Sequence, residues 1–301
     1  MDFLNLSLEI KDIVLRCLEA YSSGQLQIDG FDLKAEHKAD KHVYLELKSY
    51  FSLHDAPIKI FVENNPPIET KSKPEYCVFV DPVDGSINRD LIVGDPGIVV
   101  CYAKGMSPIF RDVFGGFVYG IHSRDTYYST NGNAYYIKRD NTVPMKISCD
   151  SSVKSLSDSI LYYNDGYGKE FAKVSFKKAG ILPFLVRHHN AFDNAALEIC
   201  QISRGAAHLR VEARSYNSGG KCKGSDHANI LPAYAIGKNA GLIISDLNGN
   251  SLDNEIIELD KVQDFICCSN LILHQETINM IKNNRKMIST LIKDVSSNEV
   301  S

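Results

Sequence analysis

The stretch Tyr76-Cys77-Val78-Phe79-Val80-Asp81-Pro82-Val83-Asp84-Gly85-Ser86 sets an apolar run directly against two carboxylates, a proline and a glycine. Residues 76–80 are aromatic, β-branched or otherwise apolar, the composition of a buried strand. Asp81 is expected where that strand ends, Pro82 fixes one backbone dihedral just beyond it, and Gly85 frees the next turn. From three residues on, Asp84 can turn its carboxylate back toward Asp81, and two hard oxygen donors on one turn suit Mg²⁺. The amides of Gly85 and Ser86 can point at an anion as a helix start or a backbone nest does. A divalent cation beside an anion pocket is equipment for phosphoryl hydrolysis.

On either side of this stretch the apolar spacing alternates between helical and extended. Leu6, Ile10, Ile13, Val14 and Leu18 predict a helix over 5–22, stopped at Ser22-Ser23-Gly24, and a second helix is expected over 39–54. Strand patterns follow at 58–62, 76–80, 98–103, 113–121 and 127–129, and Asn131-Gly132 marks a tight turn into 134–137. The polar run Lys138–Asn141, with Pro144, is the candidate boundary between residues 1–143 and 144–301. Beyond it, strands are expected at 160–163, 184–188, 205–211, 242–246 and 265–269. Helices are expected at 170–179, 191–203, 225–240 and 274–293. The first part therefore reads as α+β around an antiparallel sheet and the second as α/β. Pro232 falls inside one expected helix and should kink it or consume its first turns.

Bulk properties exclude several classes of function. The 301 residues are 44% hydrophobic and 23% charged, an ordinary globular balance, and the net charge of −4 favours neither nucleic acid nor a membrane surface as partner. Eight cysteines are scattered without a Cys-x-x-Cys pair, and several lie in apolar runs, so they read as small buried hydrophobes in a reducing compartment. Asp2, Glu9 and Lys11 among the first leucines are unlike a signal peptide, and no apolar stretch approaches a membrane span. A cytoplasmic location is expected.

The order of motifs resembles the inositol monophosphatase family, within the wider group that includes fructose-1,6-bisphosphatases. Its carriers are Glu63 after a strand pattern, the Asp81–Ser86 motif, Gly116-Phe117-Val118-Tyr119, and Ala195-Ala196-Leu197-Glu198-Ile199-Cys200. Gly224-Ser225-Asp226-His227-Ala228 and Ala240-Gly241-Leu242-Ile243-Ile244-Ser245-Asp246 complete the set, and the likeness runs from about residue 5 to residue 290. It implies a layered αβαβα sandwich, with Glu63 and the Asp81–Ser86 motif on the N-terminal part and Asp226 on the C-terminal part.

That resemblance also implies roles. Two or three Mg²⁺ ions would be held by Glu63, Asp81, the Val83 carbonyl, Asp84 and Asp226, with Gly85 and Ser86 at the phosphate. Ser86 would hydrogen-bond the attacking water, and Asp40 on the second helix would take or orient its proton. Ala195 would lie against substrate, and a homodimer is the family expectation. Each residue has a bland reading too: a solvated turn for Asp81 and Asp84, a loop carboxylate for Glu63, a helix cap for Asp226, a surface charge for Asp40. His188, His189 and His227 are assigned no metal.

Departures from the family pattern bear on substrate. Asp193-Asn194 replaces the small residues usual before Ala195, Ser225 stands where a Trp is usual and should loosen packing, and the segment from Glu212 to Asp226 is long. It carries Arg214, Lys221 and Lys223, cations able to hold a second phosphate or a polyol hydroxyl. The expected function is a Mg²⁺-dependent phosphatase of small phosphate esters, inositol 1-phosphate or fructose 1,6-bisphosphate. A nucleotide phosphatase for 3′-phosphoadenosine 5′-phosphate, with Tyr216 near the base, is the alternative, and a regulatory binding protein is another. A Ca²⁺-binding structural protein is excluded because the carboxylate spacing forms no loop of that type.

Overall fold

Alternate residues of one central strand face two different cores, and that alternation generates the layers. In the computed structural model, which describes residues 1–22, 33–85, 94–139, 141–164, 169–191, 194–218, 221–223, 225–259 and 261–298, the strand is β3 (Tyr76–Asp84). Val78 and Val80 pack under helices α1 (Phe3–Ser22) and α2 (Leu33–Phe51), beside Ile10, Val14, Val43 and Leu47. Cys77 and Phe79 point the other way, onto helices α4 (Ala195–Ser203) and α5 (His227–Asn239), through Ala196, Ile199, Ile230 and Leu231.

The sheet built on β3 has eight strands in the order β2-β1-β3-β4-β5-β6-β7-β8. These are β1 (Ile58–Val62), β2 (Ile68–Glu69), β4 (Gly97–Lys104), β5 (Val113–Gly120), β6 (Thr126–Thr130), β7 (Asn133–Ile137) and β8 (Met145–Ile147). The expectation of a wholly antiparallel sheet is corrected at one pairing. After β1 the chain turns outward through β2 before entering β3, so β1 and β3 run parallel, with Val62 beside Val80. β8 carries this first sheet to Ile147, past the polar run at 138–141.

A second sheet has the order β10-β9-β11-β15-β14. β9 (Ile160–Tyr163), β10 (His188–Asn190) and β11 (Leu209–Glu212) run parallel, and β15 (Phe265–Cys268) and β14 (Ile243–Ser245) are antiparallel. Its inner face, including Tyr162, Phe265 and Cys267, shares the core of α4 and α5. Its outer face, including Leu161, Leu209 and Ile266, is covered by α3 (Lys169–Ala179) and α6 (Leu271–Asn298). Helices, sheet, helices, sheet, helices: this is the αβαβα sandwich.

Several expected boundaries move, each for a local reason. Residues 184–188 are not a strand: Leu182–Phe184 form a 3-10 turn around Pro183, which lacks an N–H for a ladder, and the strand begins at His188. The helix expected from 191 starts at Ala195, because β10 runs to Asn190 and Asn194 caps the helix. The strand expected from 205 starts at Leu209, since Ala206 folds back to donate to the Gln201 carbonyl at 2.9 Å. A two-stranded hairpin, β12 (Tyr216–Ser218) and β13 (Lys221–Lys223), was not expected. Among the described residues no helix is long and apolar enough to cross a membrane.

Pro232 neither ends α5 nor consumes its first turns; the helix continues on both sides of it. Its role is visible in the neighbouring strand, where a Cβ on Gly116 would overlap the Pro232 carbonyl. Strand β5 and helix α5 therefore touch backbone to backbone. Gly116→Ala is expected to lower the unfolding free energy by about 1–3 kcal/mol, read as a lower urea midpoint with the slope unchanged. An unaltered midpoint would mean the two backbones can separate freely.

Candidate active site

Glu63 and Asp81 follow equivalent positions of the parallel pair β1 and β3, which brings them to one edge. The Glu63 N–H donates to the Val80 carbonyl at 3.0 Å, fixing that adjacency. Strand β3 does not end at Asp81 as expected. It bulges: Asp81 pairs with Val99 and Asp84 with Gly97, so the Asp81–Asp84 segment carries one extra residue against β4. The bulge accommodates Pro82 and lets Asp81 and Asp84 both turn inward, at 4% and 5% exposure. Gly85 then takes φ 76°, a turn its missing Cβ permits.

Asp226 arrives from the other part of the chain, at the N-cap of α5, where its carboxylate accepts from the Asn229 amide at 3.3 Å. Its helix-cap reading is thus realised. It is also close enough to the other acids for its charge to be felt at Asp81. Burial, then the charges of Glu63, Asp84 and Asp226, raise the Asp81 carboxyl well above its ordinary value, against the opposing Val83 amide. Burial pushes Asp84 up to about 7; the Ala196 amide opposes this, Glu63 adds to it, and Arg210 and Arg214 oppose it from behind. Four acids from β1, β3 and α5 therefore converge.

Among the described residues no three His, Cys, Asp or Glu side chains close into a ligand group, and each of the three aspartates accepts from an amide. Asp81 accepts from Val83 N–H at 2.9 Å, Asp84 from Ala196 N–H at 3.4 Å, and Asp226 from Asn229 N–H. The chemistry of the donor set still fits a hard divalent cation: two buried carboxylates on β3 and two partly buried ones after β1 and before α5, repelling one another, with oxygen donors alone.

Asn194, a departure from the expected small residue, pins this edge together. Its Oδ1 caps α4 at the Leu197 N–H (2.8 Å), while its Nδ2 donates to the carbonyls of Asp84 (2.9 Å) and Asp95 (3.2 Å). The N-terminus of α4, with Ala195 buried as its first residue, thereby faces Asp84.

Behind the acids lies a buried ion network that sequence reasoning missed. Arg210, 1% exposed on β11, pairs with Glu198 of α4 and donates to Glu212 at 3.0 Å. Arg214 Nε and Nη2 donate to the two Glu212 oxygens, both at 2.7 Å. The Ser225 hydroxyl donates to Glu212 at 2.6 Å and accepts from Arg214 Nη2 at 3.2 Å. Ser225 thus does not loosen the start of α5; it ties that start to β11. Arg214, expected as a substrate cation, is paired to a carboxylate in a half-buried position. The missed signal was a Glu and an Arg inside otherwise apolar runs, where an unpaired charge is not tolerated.

His227 is fully buried, its ring edge-on to Phe110 at 4.9 Å, and its Nδ1 accepts from the Glu258 N–H at 3.3 Å. Burial, then the Lys261 charge, lowers it to about 4, so it is neutral and structural. His188 and His189 lie exposed on β10. Ser86 lies outside the described residues, as do the side chains of Asp40, Tyr216, Lys221 and Lys223.

The layers and the acid order define a class, proteins with the inositol monophosphatase fold. The 2′-AMP-bound inositol monophosphatase II of Staphylococcus aureus superposes with a TM-score of 0.70 at 14% identity, covering 98% of this chain and 100% of that one. No family model matches the chain. It is 25% identical over 225 residues to the bifunctional NADP phosphatase/NAD kinase of Methanococcus maripaludis, covering 71% of this chain and 37% of that protein. It is likewise 25% identical over 211 residues to the fructose-1,6-bisphosphatase/inositol-1-monophosphatase of Archaeoglobus fulgidus, covering 69% and 70%. The chain thus has the inositol monophosphatase fold and is similar in sequence to phosphatases named for that activity.

Burial alone would raise Glu212, but the Arg214 charge and hydrogen bonds, then Arg210 and Ser225, draw it down to about 2. A folded value below the unfolded one, about 4.3, contributes stability that is whole above that pH and lost as pH falls toward 2. Glu212→Gln should therefore be less stable than the parent at pH 6 and show a shallower loss of urea midpoint between pH 4.5 and 2. Equal slopes in the two proteins would remove Glu212 from the acid limb.

Proposed function

We propose that the protein is a Mg²⁺-dependent phosphomonoesterase of small phosphate esters, with sugar and polyol phosphates such as inositol 1-phosphate and fructose 1,6-bisphosphate as its candidate substrates. The observation that carries this reading is the convergence of Asp81, Asp84, Glu63 and Asp226, buried enough that three of these charges raise the fourth carboxyl. A phosphatase relative such as that of A. fulgidus supports it. The matched region is only 37% of the M. maripaludis protein, so that protein's whole activity is not carried over.

Glu63, Asp81, the Val83 carbonyl, Asp84 and Asp226 would hold the ions. When bound there, divalent ions would supply an activated water and neutralise charge on the phosphoryl oxygens and leaving group. The protein's remaining task is positioning. The N-terminus of α4, held to the Asp84 carbonyl by Asn194, and the amides of Gly85 and Ser86 bind and orient the phosphate. Asp40, acting through the Ser86 hydroxyl, takes the proton from the water. Ala195 and the Arg214 and Lys221 segment border the alcohol. A homodimer in the cytoplasm accords with this reading.

A second reading, a nucleotide monoester as substrate, is favoured by the NADP phosphatase named among the relatives and by the 2′-AMP held in the S. aureus structure.

Asp84→Asn is expected to cut Mg²⁺-dependent phosphate release at least a hundredfold, on the order of a lost ligand, with the far-ultraviolet dichroism spectrum preserved. Retained turnover with that spectrum would count against the ligand assignment. Chelation should abolish release from the parent protein and added Mg²⁺ restore it; activity that persists through chelation removes the cation from the reaction.

A further inference from the structure

Near one edge of the first sheet the cover changes from helix to loop, and a cavity of about 670 Å³ lies there. Helix α5 packs on the inner face of that sheet across β3 to β7. Over Phe61 of β1 the roof is instead a strap, residues 255–259 and 261–263. The strap is held on the β4–β5 connection, where the Phe110 N–H donates to the Glu255 carbonyl at 3.0 Å and the Ile257 N–H to the Pro108 carbonyl at 3.2 Å. Phe61 and Phe79 are stacked with centroids 5.2 Å apart, and with Met106, Ile256, Ile257 and Leu259 they make the cavity mainly apolar. Met106 and Ile256 are 42% and 58% exposed, so apolar surface is left open at its mouth.

Charge selects what such a cavity takes. Among the described residues that line it, the only charged one is Glu258. Phe61 stands two residues before Glu63, about 7 Å along the strand, so the acid cluster adds negative potential at the same end. Lys59 lies 5.9 Å over the Phe61 ring, but its charge is matched by Glu69 at 2.8 Å, as that of Lys261 is by Glu255 at 2.7 Å. A phosphate ester or a carboxylate is therefore repelled. An organic ammonium ion gains from the carboxylates through its charge and from the walls through its hydrocarbon.

The cavity also borders two of the proposed cation ligands through their backbone. Val62, Asn64 and Asn65 in its wall bracket Glu63, and Asn65 Nδ2 donates to the Glu63 carbonyl at 2.7 Å. The roof runs on to Asp226. The Glu258 N–H donates to His227 Nδ1 at 3.3 Å, and the His227 N–H to the Lys261 carbonyl at 3.0 Å. Val262 then bridges Asp226, and the Gln263 N–H donates to the Ser225 carbonyl at 2.9 Å. A guest that moves the roof, or adds positive charge beside Glu63, changes how Glu63 and Asp226 meet a cation.

We propose that the cavity roofed by residues 256–259 is a regulatory site for a small apolar ammonium ion, and that its occupancy weakens Mg²⁺ binding at Glu63 and Asp226. The ligand site stands on the cavity's own lining, whereas its regulatory effect rests on the phosphatase reading above and says how that site is controlled.

The test uses the full chain and three probes of similar size, 2-phenylethylamine, 2-phenylethanol and phenylacetate, with binding followed by calorimetry. The amine should bind about fivefold more tightly than the alcohol, and the carboxylate more weakly than either. Glu258→Gln should reduce the preference for amine over alcohol about threefold. Ser107→Trp, at an exposed position of the lining, should fill the cavity and raise the amine Kd about tenfold. Saturating amine should raise the Kd for Mg²⁺ about fivefold, and saturating Mg²⁺ should raise the Kd for the amine by the same factor, as linkage requires. No saturable binding of the amine, equal binding of amine and carboxylate, or an amine Kd unchanged in both variants overturns the site. Amine and Mg²⁺ that both bind without mutual effect overturn the regulation. The phosphatase reading fails separately: amine binding that Ser107→Trp removes, in a parent protein that neither binds Mg²⁺ nor releases phosphate from inositol 1-phosphate, keeps the ligand site and removes the chemistry.

Discussion

Burying like charges is the constraint from which the rest of this structure follows. Asp81 and Asp84 are almost wholly removed from water, and the charges of Glu63 and Asp226 bear on Asp81. An unpaired buried carboxylate costs several kcal/mol, so such a set persists only where opposite charge is held nearby. Part of that compensation is permanent. Arg210 and Arg214 act on Asp84 from behind, and both are fixed by Glu212. The remainder is uncompensated, and the proposed cation is what would balance it.

The same network sets the mechanical frame. Glu198 lies on α4, Arg210 and Glu212 on β11, and Ser225 directly precedes Asp226 at the start of α5. One buried chain of ion pairs therefore fixes two helix N-termini relative to one strand end. Asn194 adds the link to β3 through the Asp84 carbonyl. Close backbone contact between Gly116 and Pro232 holds the opposite side of α5 against the first sheet. Two strand edges and two helix starts, far apart in the chain, cannot drift independently.

Much of this was legible in the residues because periodicity is local. The strands over 58–62 and 160–163 fall on the positions where apolar alternation puts them. What escaped was non-local or chemically disguised. Nothing in residues 58–80 says that β1 and β3 run parallel, since that depends on the excursion through β2. Pro183 sits in an apolar run that imitates a strand, yet its missing N–H forbids one. Asn194 looked like a disturbance of the substrate pocket and proves to be a helix cap with a second task. Arg210 and Glu198 are each unremarkable alone; only their pairing explains why apolar segments tolerate them.

The buried charges are also the part of the fold least free to change. The acids stand at the edge of the first sheet and at the start of α5, and the arginines behind them are held by one glutamate. Their neighbours lie in the interior core. A change among the acids or the arginines disturbs the rest, because each shares a partner with the next.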